Sequence, residues 1–154
     1  MISDRQQAYL DAMDIGVWCL RETISPAVPA LESAPGLRLG PGGGGVLLIC
    51  AADTHSASRL ANDISRALGS VPVWAWPDNG DDQISLTNAV EENLFTTVAV
   101  FGNDLAHELF GDETPASLGS ANLVLLPAMK EIQSQARARQ VLWATMCRTG
   151  MVTN

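Results

Sequence analysis

Two short stretches hold side chains that could do chemistry. "AADTHS" sets Asp53 two residues before His55, and "NDLAHEL" sets Asp104 three residues before His107. A carboxylate beside an imidazole can hold the ring in one tautomer, relay a proton or share a metal ion. Each pair follows an apolar run that reads as a strand, "VLLICAA" and "FTTVAVFG". Open α/β sheets place ligand sites beyond the carboxyl ends of their strands, so convergent loops would build an acid–base or metal site from the four side chains. The plainer reading makes Asp53, Thr54 or Ser56, and Asn103 or Asp104, caps of the helices that follow, with both histidines solvated. Neither a GxSxG elbow nor an HExxH helix supports the sharper reading.

The glycines of "GPGGGG", residues 40–45, come before a strand. Phosphate-cradling glycines come after one and open a helix, so these read as a hinge. Cys19, Cys50 and Cys147 are scattered and odd in number, which fits free thiols better than a disulfide framework or zinc site. No cofactor is expected.

The elements that must position these residues follow from periodicity. "VLLICAA", "VPVWAWP", "FTTVAVFG" and "ANLVLLP" read as strands, the first as one buried on both faces. Helices are expected from Ser56 to Leu68, stopped by Gly69, and over residues 84–94 with Ile84, Leu86, Ala89, Val90 and Leu94 inward. "NDLAHELFG" reads as a short helix. A long helix is expected from Ala128 to Arg148, with Met129, Ile132, Ala136, Trp143, Met146 and Cys147 as its core face. Strands alternating with helices predict right-handed crossovers. The expected fold is α/β: a small, mostly parallel sheet of about four strands, helices on both faces, preceded by an extended amino-terminal tail. The tail divides into a segment 1–21 and a linker 22–45 rich in proline and glycine that can hide one edge strand; the α/β body is 46–154. Trp74 and Trp76 alternate along one strand and share a face, as core residues or as a protein-binding patch.

Composition bounds the function classes. The chain has 154 residues, 47% apolar and 17% charged, which suits a folded domain with a tail. Its net charge of −8 argues against direct binding to nucleic acid through phosphates. No apolar run reaches the ~20 residues of a membrane span and no signal peptide is visible, so a soluble cytoplasmic protein is expected. From Asp78 to Glu113 there are many acids and neither Lys nor Arg, whereas the last helix carries Lys130, Arg137, Arg139 and Arg148.

Three blocks of this chain resemble a known family. The first is "YLDAMDIGVWCLRE", where Leu10, Met13, Ile15, Trp18, Leu20 and Arg21 match a Leu-x-x-Leu-Gly-Ile-x-x-Trp-x-Leu-Arg segment. The second is "VLLICAAD" with "LANDISRAL", carrying Asp63, Arg66, Ala67 and Leu68. The third is "VLLPAMKEIQSQARARQVLWATMC", where Pro127, Ala128, Ala138, Arg139, Leu142, Trp143 and Cys147 fit a Pro-Ala, Ala-Arg, Leu-Trp-x-x-x-Cys pattern. Together they resemble the psi subunit family of bacterial DNA polymerase III holoenzyme; the stretch from Trp74 to Gly119 takes no part. The resemblance implies a protein with no catalytic activity of its own. It would join the clamp loader's tau/gamma subunits to the chi subunit, and through chi reach single-stranded DNA-binding protein. Leu10, Met13, Ile15, Trp18, Leu20 and Arg21 would be a tethered clamp-loader-binding peptide, and the body would hold chi. The alternative is a small α/β enzyme or ligand-binding domain using Asp53, His55, Asp104 and His107.

Overall fold

The computed structural model describes residues 34–152. The amino-terminal segment with Leu10, Met13, Ile15, Trp18, Leu20 and Arg21 lies outside them. Six strands form one sheet: β1 (Leu37–Leu39), β2 (Val46–Ile49), β3 (Val73–Pro77), β4 (Thr97–Phe101), β5 (Ser117–Leu118) and β6 (Ala121–Leu126). Their order is β1-β3-β2-β4-β6-β5. The inner four run parallel, and β1 and β5 pair antiparallel at the edges.

The sheet is therefore mixed and six-stranded, which corrects the expectation of a mostly parallel sheet of about four. The physical reason lies in the connections. A parallel neighbour needs a crossover of a dozen or more residues. β5 reaches β6 through Gly119 and Ser120 alone, with Gly119 at φ 58°, so only a hairpin is possible. β1 falls inside the stretch read as linker and lies on β3, with Leu37 opposite Pro77 and Leu39 opposite Ala75. Of the glycines after it, all but Gly43 lie close against the body. A Cβ at Gly42 would stand 2.5 Å from the Pro72 carbonyl oxygen, so the backbones meet where no side chain fits. The Gly45 carbonyl accepts from the amides of Thr96 and Thr97 at 2.8 and 3.1 Å.

Period-two alternation splits the parallel strands between two cores. Leu47, Ile49, Val98 and Val100 point to one face, beneath α3 (Leu86–Asn93) and α4 (Asn103–Phe110), whose Val90, Leu109 and Phe110 close that cluster. Leu48, Cys50, Ala99 and Phe101 point to the other, beneath α2 (Arg59–Leu68), α5 (Met129–Ser134) and α6 (Ala136–Arg148). Trp74 belongs to this second core and Trp76 packs against it. Helices thus cover both faces. The face changes when the chain reverses direction across the sheet after β3, as crossovers of a single hand require.

Local chemistry sets the helix ends. Ser58, not Ser56, caps α2 by accepting from the Ala61 amide at 3.2 Å, and Gly69 ends it at φ 69°. Asp53–Ser56 forms a separate single turn, α1. Ser85 caps α3, which ends at Leu94 in the left-handed region (φ 54°). That reversal puts Leu94 in solvent at 78% exposure and hands its expected inward place to Phe95, at 1%.

The last helix departs furthest from expectation. It breaks at Gln135, which is extended (φ −120°, ψ 125°), and becomes α5 and α6. Met129, Ile132 and Met146 are buried as expected, but Ala136, Trp143 and Cys147 face solvent. Ala138, Leu142 and Thr145 join Met146 against the sheet in their place. One non-helical residue shifts the phase of everything after it, so the pattern of an unbroken helix selects the wrong face of α6.

Candidate functional site

The parallel strands reverse order between β2 and β4, and this switch point is where an α/β sheet opens a crevice at its carboxyl edge. Both acid–histidine pairs start there. α1, with Asp53 and His55, follows β2; α4, with Asp104 and His107, follows β4. They leave the crevice in different directions. The chain from α1 runs on into α2 on one face of the sheet, while α4 packs on the other.

Three of the four side chains are occupied locally or point to water. The Asp53 carboxylate accepts from the Thr54 amide at 2.7 Å. Asp104 is exposed and belongs to the first turn of α4, whose N-cap is Gly102 with no side-chain cap. His107 is exposed; its Nδ1 lies 3.1 Å from the Gly111 carbonyl and 3.7 Å from Asp112, not Asp104. Its imidazole therefore fastens the carboxyl end of its own helix. His55 is half-buried, and its Nδ1 finds no hydrogen-bond partner among the described residues. Among those residues no group of three or more His, Cys, Asp or Glu is placed to hold a metal ion. The four residues do not form one site.

Below this crevice Cys50 is fully buried, and its Sγ contacts the Ala52 carbonyl at 3.2 Å. Burial disfavours the thiolate and pushes the thiol from 9.0 up to about 11. The folded chain thus keeps this proton over a range in which the unfolded chain has lost it. The stabilisation is complete below pH 9.0 and is lost as the pH rises toward about 11. Denaturant unfolding at about pH 8 and about pH 10.5 is expected to show a larger loss of stability in the wild type than in Cys50→Ala. Equal losses would assign the alkaline sensitivity to other groups.

The other candidate is a surface. Most large apolar side chains of the body are interior, but Val141 and Trp143 on α6 are 45% and 54% exposed. They lie among Arg137, Arg139 and Arg148 of the same helix. Sequence reasoning missed this face because it assigned Trp143 to the core; the charge reversal in the last helix was the available signal. A tryptophan half in water is poorly used by a monomer and well suited to an interface.

No helix among the described residues is long and apolar enough to cross a membrane. The fold and these sites define an α/β protein with a six-stranded mixed sheet and an exposed aromatic–basic helix. Comparison with family models, curated proteins and solved structures yields no match.

Proposed function

We propose that this chain is a non-catalytic accessory subunit of the bacterial replicative DNA polymerase III holoenzyme, of the psi type. It bridges the clamp loader's tau/gamma subunits and the chi subunit, and reaches single-stranded DNA-binding protein only through chi. The observation that carries the reading is the environment of its third matching block. Ala138 and Leu142 pack into the core, while Trp143, one residue further, stands 54% exposed. The packing of this body accounts for the first two and leaves the tryptophan for a partner. The blocks also stand in the family's order, with the amino-terminal one separated from the body by the proline-rich stretch.

The enzyme reading fares worse, because Asp53, His55, Asp104 and His107 belong to helices that leave the switch point toward opposite faces. A net charge of −8 likewise disfavours direct contact with bare DNA.

The test is reconstitution from purified components. The full chain mixed with tau and chi is expected to give one ternary complex by size exclusion, whereas tau and chi without it stay apart. Failure to bind either protein at micromolar concentration would overturn the proposal.

A further inference from the structure

The charge that is segregated along the sequence becomes segregated across the sheet. The helices over one face, α2, α5 and α6, carry Arg59, Arg66, Lys130, Arg137, Arg139 and Arg148 against two carboxylates, Asp63 and Glu131, a net +4. The helices over the other face, α3 and α4, carry Glu91, Glu92, Asp104 and Glu108 with neither Lys nor Arg, a net −4. All six cations are exposed, and none of them forms an ion pair with a carboxylate of the described residues. A chain of net charge −8 thus presents one distinctly basic side.

On that side α6 exposes Val141, Trp143 and Ala144 between Arg137 and Arg148. Helical spacing puts Arg137, Val141, Ala144 and Arg148 along one line. Arg139, Trp143 and Cys147 run along a second line, roughly 130° further round the helix, with Gln140 between the two. Trp143, Cys147 and Ala144 lie between Arg139 at one edge and Arg137 and Arg148 at the other, which is the layout of an interface centre with a charged rim.

The geometry points to the outer face of α6 as the surface by which the body holds its folded protein partner, a partner presenting carboxylates around an apolar recess that takes the Trp143 indole. The basic rim selects the sign of the partner by charge complementarity and speeds encounter. The apolar centre selects a protein, because a phosphate backbone offers Val141 and Ala144 nothing to pack on, and the −8 chain repels a polyanion overall. This inference rests on the connector reading, which supplies chi as the probe.

The experiment measures binding of purified chi to the full-length chain by calorimetry at two salt concentrations. Trp143→Ala is expected to weaken binding by tenfold or more, on the order of a central interface tryptophan. Arg137→Glu with Arg139→Glu is expected to weaken it and flatten its salt dependence. Glu91→Lys with Glu92→Lys, on the opposite face, is expected to bind chi as the wild type does. All three proteins should bind tau normally and keep the wild-type urea midpoint, the second readout reporting that the body is folded. Wild-type affinity for chi in both α6 variants overturns the inference alone, as does loss confined to the Glu91/Glu92 variant. A wild-type chain that does not bind chi overturns the connector reading and this inference with it. A fluorescent single-stranded oligonucleotide that binds tightly and is released by the α6 substitutions makes the face a nucleic-acid surface and likewise overturns it.

Discussion

Truncation of Trp74 to alanine is expected to cost about 3–5 kcal/mol of folding stability, the range for deleting a large buried aromatic side chain. Trp74 is 7% exposed, and its ring stacks on Phe101 at a centroid separation of 5.7 Å and an interplanar angle of 17°. Its indole N–H donates to the Ser65 hydroxyl at 3.4 Å, tying β3 to α2. Removing it leaves a cavity in the core shared by Leu48, Ile64 and Phe101. Single domains have only about 5–15 kcal/mol in hand, so the variant should melt far below the wild type. Trp143→Ala, at a position 54% exposed, should stay within about 0.5 kcal/mol of the wild type. Urea unfolding followed by far-ultraviolet circular dichroism measures both. A Trp74→Ala protein as stable as the wild type would mean that Trp74 is a surface anchor and not a core residue.

Trp18→Ala is the second large effect, and it is expected on binding instead of on folding. If residues 1–21 grip the clamp loader, a few anchors carry the affinity, and the tryptophan is the largest apolar side chain among them. The expected loss for tau is about 2–4 kcal/mol, or roughly 30- to 1000-fold in Kd. The same variant should keep the wild-type urea midpoint and wild-type affinity for chi. The three readouts separate the alternatives. Loss of tau binding with stability intact supports a docking peptide. Loss of stability makes Trp18 part of the core, and no change in either removes the segment from the interface. Trp74 and Trp18 thus make opposite predictions from the same residue type, one on stability and one on affinity.

Much of the body is legible in the sequence, for specific reasons. Strands β2, β3, β4 and β6 announce themselves as short apolar runs, and β2 and β4, buried on both faces, are apolar at consecutive positions, as "VLLIC" and "TVAVF" are. Gly69 ends α2 where expected because a left-handed residue is cheapest without a Cβ. The edge strand β1 shows only as one strand somewhere within residues 22–45, and β5 stays out of sight. At 3 and 2 residues they are too short to show a period, and their pairing is set by where the chain returns. The capping serine of α2 is displaced by two residues because α1 forms its own turn first, a choice that Ser56 and Ser58 do not decide by type.

By itself the sequence determined the layered α/β class, the four core strands, the two-sided burial and the segregation of charge along the chain. These depend on local alternation and composition, which packing must respect. Only the tertiary structure decided which groups meet. It sent the helices after β2 and β4 to opposite faces, which parts Asp53 and His55 from Asp104 and His107. It turned a linear separation of charge into a basic side and an acidic side, because crossover handedness assigns helices to faces. And it broke the last helix at Gln135, where a single extended residue rotates α6 so that Leu142 enters the core and Trp143 leaves it. A helical pattern carries phase only as long as the helix is continuous, and packing against the sheet decided where it was not.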